Sequence, residues 1–545
     1  MKNKAYYETP DYQELGSALQ GLVPMGDAPA VTWYDRAGKE SSKTYAELVR
    51  DAAAFAAALA RNGLAGSHAA IALDNTYEWL WVFFGITAAG GVAVLVDVEQ
   101  PEDILVSMIA GADAKLAVLS ATVAPLVRDR LVREGVRVVT AGGGNERETL
   151  ESFTARNPER DEENLKALAA KLPSPEDVAV IAFTSGTSSQ PKPVMLTQKG
   201  IARNACGSIS MVKPTPRVFT SLPLYHTYGL TCGALCILFA GSELGICGDI
   251  KRMSRDFVLF DAEILMAVPL VVEMIYRRLT HGMEAKGYKR VLDGSLARYN
   301  ILKAFGLARP MKWLVKAKQK GVGKLATIVC GGAHLAHSVA DNMYAFGILV
   351  LEGYGITECS PLVSVNRLCC REPHSAGLLL PGYELKFDNE EILLRGEMLM
   401  KGYYKDSEAT AEAFDGDWFK TGDMGYMSPG GFLYITGRKK NLIVLKNGKK
   451  IAPEEIESYL ADVPLIREVI AHGAPSGEST DDVRVAVTIY PDPDATQGMS
   501  SYEVLERLQR YVDEINAKLP TYKQIQMVNL SSGEFEKTSS RKIKR

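Results

Sequence analysis

The chain has 545 residues, and its 62 Lys and Arg residues against 65 Asp and Glu residues give a formal net charge of −3. A charge this close to neutrality gives no basis for general nucleic-acid binding, and the length allows roughly two to four domains with a large buried core. The longest apolar run, residues 228–247, is interrupted by Ser242 and Glu243, so a buried helix and strand is predicted there rather than a membrane span.

The first residues, MKNKAYYETPDYQE, lack the apolar core of a signal peptide, so we expect a cytoplasmic protein. The eight cysteines all lie between Cys206 and Cys370, and no two of them form a CxxC pair. This pattern predicts reduced, buried thiols rather than disulfides or a zinc site.

Helices and apolar strands alternate in the first third of the chain. The predicted helices are AELVRDAAAFAAALARNGL, EWLWVFFGITAAG and PEDILVSMIAGA, and the predicted strands are AAIAL, GVAVLVDV, KLAVLS and DVAVIAF. Such alternation predicts parallel sheets with helices on both faces. Ligands of these sheets bind at the carboxyl ends of the strands, so the loop after DVAVIAF is a predicted ligand site.

That loop lies in the stretch FTSGTSSQPKPVMLT, from Phe183 to Thr197. It does not match the Walker pattern GxxxxGK[ST]. Its hydroxyl groups, its glycine and its lysine are nevertheless suited to phosphate binding, and a solvated Ser/Thr turn is the alternative. The residues concerned are Thr184, Ser185, Gly186, Thr187, Ser188 and Lys192.

The last fifth of the chain has a different pattern. NLIVLKNGKKIAP predicts a hairpin with a tight turn at Asn447-Gly448, and Pro453 is suited to open the following helix. Strands REVIAHGA and DDVRVAVTIYP and an amphipathic helix within 501–519 complete an α+β pattern. We therefore predict a large domain at 1–438 and a small domain at 439–545.

Three further stretches carry a resemblance to a known family. They are EGYGITECSP, WFKTGDMGYMSPGGFLYITGRKKNLIVLKNGKKI and the terminal EKTSSRKIKR. With the loop after Phe183, their order and spacing resemble the adenylate-forming superfamily of acyl-CoA synthetases, luciferases and adenylation domains. The resemblance covers nearly the whole chain and is closest to bacterial long-chain fatty acyl-CoA synthetases. It implies an α/β fold in which a large N-terminal domain with parallel-rich sheets precedes a small, mobile α+β domain.

The resemblance also implies a reaction in two halves. A carboxylate attacks the α-phosphate of ATP to give an acyl-adenylate and pyrophosphate, and the thiol of coenzyme A then displaces AMP. ATP, Mg²⁺ and coenzyme A are therefore the expected cofactors and co-substrates. No nucleic-acid partner is expected.

Residue roles follow from the matching motifs. Residues 184–188 and Lys192 would hold the β- and γ-phosphates. Tyr354 would stack on adenine beside Gly331, Gly332 and Ala333, with Gly355 in the same nucleotide site. The remaining implied roles are Thr357 at the α-phosphate, Glu358 and Thr184 as magnesium ligands, and Asp423 and Arg438 at the ribose.

Other matches concern motion and transfer. Lys440 occupies the hinge position, Gly448 would reach the thiol tunnel, and Lys542 aligns with the adenylation lysine. An ordinary exposed lysine and a basic tail are the alternatives for Lys440 and Lys542. Three positions depart from the family pattern, because Ser189, Pro193 and Arg541 stand where glycines are usual. Proline removes an amide donor and fixes φ, so we predict a working phosphate loop with less backbone freedom.

The acyl pocket is predicted in the stretches PLYHTYGL and MAVPLVVEMIY. Its residues would be Tyr228, Gly229, Val268, Pro269 and Val272, with His226 as a catalytic residue near the thiol path; a packed core histidine is the alternative. No charged residue is evident there, and this part of the chain resembles long-chain fatty acyl-CoA synthetases most closely. The resemblance therefore implies a medium- to long-chain fatty acid as the substrate. An aryl or bile-type acid, an acyl carrier protein as acceptor, and a non-catalytic nucleotide-binding module remain alternatives.

A basic segment lies between Arg277 and Lys324, with thirteen Lys or Arg residues and only Glu284 and Asp293 as acids. Its interleaved apolar residues are Leu292, Leu296, Tyr299, Leu302, Phe305, Met311, Trp313, Leu314 and Val315. Such a segment is typical of a surface that docks on anionic lipid, so we predict peripheral contact with the inner membrane face. The alternatives are packing of the apolar face on the domain, and docking of an acidic carrier protein or of the phosphates of coenzyme A.

Overall fold

The computed structural model describes residues 5–142, 148–184, 191–249, 251–445, 449–461, 463–475, 483–537 and 543. The chain folds into two compact units. The larger unit comprises Met1–Ala333, Val339–Tyr383 and Arg395–Glu412, and the smaller unit comprises His334–Ser338, Glu384–Leu394 and Ala413–Arg545.

The strands of the described residues, in chain order, are β1 Pro29–Tyr34, β2 Glu40–Thr44, β3 His68–Ala72, β4 Val92–Leu95, β5 Leu116–Ser120, β6 Arg137–Ala141, β7 Val178–Phe183, β8 Pro193–Thr197, β9 Arg217–Thr220, β10 Glu243–Ile246, β11 Ile264–Ala267, β12 Thr327–Cys330, β13 Leu349–Gly355, β14 Leu362–Val365, β15 Gly377–Leu379, β16 Tyr383–Asp388, β17 Glu391–Gly396, β18 Gly402–Tyr403, β19 Phe414–Asp415, β20 Trp418–Met427, β21 Phe432–Arg438, β22 Ile443–Val444, β23 Lys450–Ile451, β24 Ile466–Pro475, β25 Val483–Pro491 and β26 Met527–Leu530.

The α-helices of the same residues are α1 Leu15–Gly21, α2 Tyr45–Arg61, α3 Tyr77–Ala88, α4 Glu102–Gly111, α5 Ala124–Arg133, α6 Leu150–Thr154, α7 Asp161–Ala170, α8 Gln198–Met211, α9 Cys236–Phe239, α10 Met253–Phe260, α11 Pro269–Glu284, α12 Lys289–Ala304, α13 Lys312–Val322, α14 His337–Ala345, α15 Ser407–Ala413, α16 Pro453–Leu460 and α17 Ser501–Asn516. A π-helix, Tyr228–Leu235, directly precedes α9.

A seven-stranded sheet of the larger unit has the order β18-β8-β7-β4-β3-β5-β6. Strands β7, β4, β3, β5 and β6 are parallel, whereas β8 is antiparallel to both β7 and β18. The parallel strands are apolar along their length because helices cover both faces. Helix α3 is apolar on all sides for the same reason, and Trp79, Phe83 and Phe84 are fully buried.

A second sheet of the larger unit has the order β15-β14-β13-β12-β11-β9-β10-β1-β2. From β1 to β13 every neighbouring pair is parallel, while β13, β14 and β15 pair antiparallel. The carboxyl ends of the parallel strands therefore lie along one edge, where ligands of such sheets bind.

The smaller unit combines an antiparallel group, β17, β20 and β21, with the three-stranded sheet β24-β25-β26. Pro453 opens α16, as predicted. Helix α17 begins with a capping box of Ser500 and Glu503, and one of its faces is buried at Val504, Leu508 and Val512.

The predicted α/β class, with a parallel-rich large domain and a smaller carboxyl-terminal domain, is confirmed. The run 228–247 forms the π-helix, α9 and β10, in agreement with the predicted helix and strand. All eight cysteines are free thiols, of which Cys369 and Cys370 are only partly buried. Within the described ranges, no helix combines the length and apolar character that crossing a bilayer demands. The boundary at 438 and the mobility of the small domain stay predictions.

Candidate active site

Two loops of the candidate site leave the same edge of the second sheet. Gly331, Gly332 and Ala333 follow β12, and Thr357 and Glu358 follow β13 in a short 3₁₀-helix, Thr357–Cys359. Because β12 and β13 are parallel, the sheet brings these two predicted nucleotide-binding loops side by side. Gly332 has a φ of +93°, in the region that favours glycine.

The loop that carries Glu358 is held from behind by Asn204 of α8. The fully buried Asn204 amide donates to the carbonyls of Cys359 (3.0 Å) and Leu362 (2.8 Å) and accepts from the Leu362 amide (3.2 Å). The Tyr383 hydroxyl also donates to the Cys359 carbonyl at 2.5 Å. Sequence reasoning missed Asn204, because an asparagine inside a helix carries no local pattern that points to a loop 155 residues away.

Glu358 lies beside Tyr403, whose ring in turn lies near Lys192. The Tyr403 hydroxyl donates to Glu358 Oε1 at 3.1 Å, and Lys192 Nζ lies 4.9 Å from the centroid of the Tyr403 ring. The pairing of β18 with β8 fixes this arrangement, since Tyr403 is opposite Val194. Burial, followed by the charge of Glu358, raises the pKa of Tyr403, which keeps it a hydrogen-bond donor. Tyr403 was not among the predicted site residues.

The ends of the predicted phosphate loop are joined, because the Thr184 amide donates to the Lys192 carbonyl at 3.0 Å. Pro193 begins β8, at the edge of the loop. Ser185, Gly186, Thr187, Ser188 and Ser189 lie outside the described residues, as do Gly448, Arg541 and Lys542.

The residues present are compatible with a bound Mg²⁺ ion. Glu358 supplies a carboxylate, and the Thr184 side chain carries a hydroxyl oxygen, which are the hard donors that Mg²⁺ prefers. Within the described ranges no cluster of three or more His, Cys, Asp or Glu residues forms a complete metal cage. An ion that keeps several waters and uses substrate phosphates needs only one or two protein ligands.

An apolar cavity of about 80 Å³ lies next to these loops. The π-helix contributes Tyr228 and Cys232 to its wall, and Gly331, Gly332 and Tyr354 form the wall nearest the nucleotide loops. π-Helical turns are frequent at functional sites. The other lining residues are Ser208, Val212, Pro214, Val218, Cys236, Ile237, Ile264, Met266, Val329, Cys330, Gly353, Gly355, Pro361, Leu362 and Val365, and none of the described lining residues is charged.

Tyr228 is fixed in this wall by a hydrogen bond from its hydroxyl to the Val329 carbonyl at 3.0 Å. A Cβ atom on Gly331 would lie 3.3 Å from the Tyr228 ring, so the absence of a side chain there leaves room for the tyrosine. Tyr228 and Tyr354 thus line one cavity, although they were predicted for the acyl and adenine subsites respectively.

The other predicted acyl-pocket residues lie behind or beside the cavity rather than in its described lining. A Cβ atom on Gly229 would lie 2.0 Å from the Pro223 carbonyl oxygen, so this glycine permits close backbone packing. Pro269 and Val272 are buried at the start of α11, and Val268 Cγ1 lies 3.6 Å from where a Gly332 Cβ would be. The partly buried His226 ring contacts Tyr225, with ring centroids 4.8 Å apart.

Glu352 is a titratable group beside the cavity that sequence reasoning missed. It pairs with the cavity residue Cys330 across β12 and β13. Burial, with a further contribution from Asp341, raises the pKa of Glu352 to about 7. Only the register of the sheet shows that Glu352 and Cys330 are neighbours, because the two strands are separate in sequence.

In the smaller unit, the structure joins Asp423 and Arg438. Arg438 Nε donates to Asp423 Oδ1 at 2.9 Å, and the two residues are opposite each other on β20 and β21. Asp423 is 3 % exposed. Lys440 follows in a 3₁₀-helix, Lys439–Asn441; burial lowers its pKa, Arg438 lowers it further and Asp423 opposes this. The predicted ribose and hinge residues therefore form one charged cluster.

The chain matches the family model for AMP-binding enzymes over residues 23–404, and the model for the AMP-binding enzyme C-terminal domain over residues 440–545. It is 29% identical over 505 residues to the long-chain-fatty-acid–CoA ligase FadD15 of Mycobacterium bovis, with 87% of this chain and 81% of that protein covered. It is 29% identical over 515 residues to the peroxisomal long chain acyl-CoA synthetase 7 of Arabidopsis thaliana, with 85% and 72% covered. The solved structure of the anthranilate CoA ligase AuaEII, in complex with anthranoyl-AMP, has a TM-score of 0.77 at 20% identity, with 99% and 96% covered.

Proposed function

The chain belongs to the family of AMP-binding enzymes, and from this premise we propose that it activates a medium- to long-chain fatty acid with ATP and transfers the acyl group to coenzyme A. The products of the first half-reaction are an acyl-adenylate and pyrophosphate. The second half-reaction gives the thioester and AMP. The observation that carries the proposal is an uncharged cavity in contact with Tyr354 and Gly332 of the nucleotide loops.

The character of this cavity favours an acid with an apolar tail. Ionised groups are costly to bury without a partner, so a second carboxylate or an amine on the substrate would be rejected by a lining without charges. The relatives FadD15 and long chain acyl-CoA synthetase 7 carry names that agree with this substrate class. An aryl or bile-type acid is the alternative that the same lining accommodates.

We assign the phosphate end of the reaction to residues of the larger unit. Lys192 would neutralise the β- and γ-phosphates, and Thr357 would contact the α-phosphate that the carboxylate attacks. Glu358, with Thr184, would hold Mg²⁺, which supplies charge neutralisation to the phosphates when bound. The Tyr403 hydrogen bond keeps the Glu358 carboxylate oriented toward this region.

The smaller unit would bind the ribose and supply the adenylation lysine. Asp423 is suited to the ribose because a carboxylate has two acceptor oxygens. Arg438 Nε donates to Asp423 Oδ1 at 2.9 Å and so orients the carboxylate. Lys542 would stabilise the negative charge that develops at the α-phosphate in the first half-reaction. Rotation about Lys440 would then exchange Lys542 for the segment containing Gly448, next to a thiol tunnel to which we also assign His226.

The decisive experiment is pyrophosphate release from ATP with a panel of carboxylic acids of different chain length and shape. We expect release with medium- to long-chain fatty acids, dependent on Mg²⁺, and weak release with aryl and bile-type acids. No release with any acid would contradict the proposal and leave a nucleotide-binding module that does not turn over.

A second assay separates the acceptors. Thioester formation is measured with free coenzyme A and with a phosphopantetheinylated acyl carrier protein, which carries the same thiol. We expect coenzyme A to be the acceptor. We also propose that the protein works in peripheral contact with an anionic membrane, supported by the basic composition of residues 277–324.

A further inference from the structure

Helix α12 has an unexpected distribution of apolar residues. Its inner face packs on the larger unit, since Leu292 and Tyr299 are 2 % and 3 % exposed. Most of the apolar residues that were predicted to face a membrane are likewise buried or partly buried, and only Phe305 is exposed. The packing alternative is therefore correct for these residues except Phe305.

A second apolar set faces away from the protein. Val291 and Ile301 on α12, and Phe305 directly after the last helical residue, are 55 %, 62 % and 75 % exposed. Their spacing of ten and four residues places them on one side of the helix. We call these three residues the outer stripe of α12. Leu307 extends it beyond the helix end, with 65 % of its surface exposed. A solvated helix normally carries polar residues on the side opposite its buried face, so this stripe needs a partner.

Two arginines accompany the stripe. Arg298 lies within it and Arg290 at its edge, both exposed, and neither has an ion-pair partner in the described part of the chain. The only acid in α12 is Asp293. On α13, Lys312, Lys316 and Lys320 are exposed at intervals of four residues, which gives that helix a basic row as well.

We propose that the outer stripe of α12 inserts into the interface of an anionic phospholipid membrane, with Arg290 and Arg298 at the headgroups. Apolar side chains interspersed with arginines on one helix face are what interfacial helices present to such lipids. Arginine also suits this position because its guanidinium group binds phosphate with a planar fork of donors. An acidic protein or a second copy of the chain is the competing partner.

The position of the stripe indicates a role for membrane docking in access to the acid substrate. This role rests on the proposed function. Helix α11 begins at Pro269, next to Val268, whose side chain lies 3.6 Å from where a Cβ on the cavity residue Gly332 would be. The helix then runs about 24 Å, at 1.5 Å per residue, to its end at Glu284, and α12 starts at Lys289. Docking through α12 would hold the larger unit on the bilayer in which a long-chain acid is dissolved.

Co-sedimentation of the full-length protein with vesicles tests the proposal. Vesicles of phosphatidylcholine alone are compared with vesicles that also contain phosphatidylglycerol, at low and high salt. We expect binding to the anionic vesicles that weakens with salt. The double variant Ile301→Ser with Phe305→Ser should reduce the partition coefficient by about tenfold or more, because the inserted apolar surface is lost. The double variant Arg290→Gln with Arg298→Gln should reduce the part of vesicle binding that depends on salt.

The matched control is Leu126→Ser with Val132→Ser on α5, where the two side chains are 51 % and 56 % exposed. This variant should bind vesicles like the unaltered protein. Absent binding to anionic vesicles, unchanged binding of the stripe variant, or a lipid-free oligomer that the stripe variant dissociates would each overturn the proposal. Pyrophosphate release with a short, water-soluble acid should be equal in all variants, so a failure of the membrane proposal is distinguishable from a failure of the proposed function.

Discussion

At the scale of single residues, the candidate site depends on carboxylates whose surroundings give them different properties. Asp423 accepts from a guanidinium group, and Glu358 accepts from a tyrosine hydroxyl. The first two therefore each have a hydrogen-bond donor as a partner. The pKa of the partly buried Glu352 is raised by desolvation, with a further contribution from Asp341. Glu352 keeps its proton up to about pH 7.

Asp423→Ala should raise the KM for ATP by about tenfold to a hundredfold, since a hydrogen bond to a charged group contributes about 1.5–3 kcal/mol. The measurement is pyrophosphate release as a function of ATP concentration. Asp415→Ala, which removes an exposed carboxylate on the neighbouring strand β19, is the control and should leave the KM unchanged. An unaltered KM in Asp423→Ala would show that the ribose assignment is wrong.

Because of Glu352, the free energy of unfolding should fall as the pH rises. Its pKa in the folded protein is about 7 against an ordinary 4.5, so the folded state binds more protons than the unfolded state between these values. The contribution is complete below about pH 4.5 and is lost as the pH rises through about 7, and it amounts to about 3 kcal/mol. Denaturant titrations at several pH values should show a flatter profile for Glu352→Gln, whereas Glu408→Gln on the exposed side of α15 should keep the original slope.

At the scale of elements, the sheets and α8 position the loops that carry the chemistry. Antiparallel pairing of β8 with β18 brings Lys192 next to Tyr403, and parallel pairing of β12 with β13 aligns two glycine-containing loops. Helix α8 then fixes the Glu358 loop through Asn204. Rigid elements thus determine the geometry of loops that have few contacts of their own.

Asn204→Ala should destabilise the protein by about 2–3 kcal/mol, because the buried Cys359 and Leu362 carbonyls and the Leu362 amide lose a partner. It should also raise the Mg²⁺ concentration needed for half-maximal pyrophosphate release, since Glu358 is in the released loop. Ser210→Ala on the same helix removes only a local bond to the Gly207 carbonyl and is the control. A change in stability without a change in Mg²⁺ requirement would make Asn204 purely structural.

At the scale of the whole molecule, the proposal assigns the two half-reactions to two arrangements of one chain. The cavity lies in the larger unit. In this proposal the larger unit would also hold the phosphates, and the smaller unit would supply Asp423 and Lys542. In this scheme the charge of Lys542 is at the α-phosphate during adenylation and must leave before the thiol can attack. The scheme therefore requires a hinge.

Two substitutions should separate the half-reactions. Lys542→Ala should reduce adenylation by about a hundredfold or more, by removal of one preorganised charge, while thioester formation from supplied acyl-adenylate survives. Lys440→Pro should have the opposite effect, because a fixed φ at the hinge restricts rotation. Single-turnover assays of each half-reaction measure this. Equal damage to both half-reactions by either variant would contradict its assigned role.

The sequence by itself determined the fold class, the alternation of helices and strands in the first third of the chain, and the family. Period-two and period-3.6 apolar patterns are local, and motifs such as EGYGITE and KTGD keep their spacing along the chain, so both are readable without coordinates. Helix boundaries such as Pro453 in α16 were predictable for the same reason.

Only the tertiary structure decided which side chains meet. Asn204 and the Glu358 loop, Tyr403 and Lys192, and Glu352 and Cys330 are brought together by sheet pairing and packing between distant segments. The same is true of α12, where composition indicated a basic apolar segment but not which apolar residues would be buried. Burial is a property of the surface a helix packs against, and that surface is built from other parts of the chain.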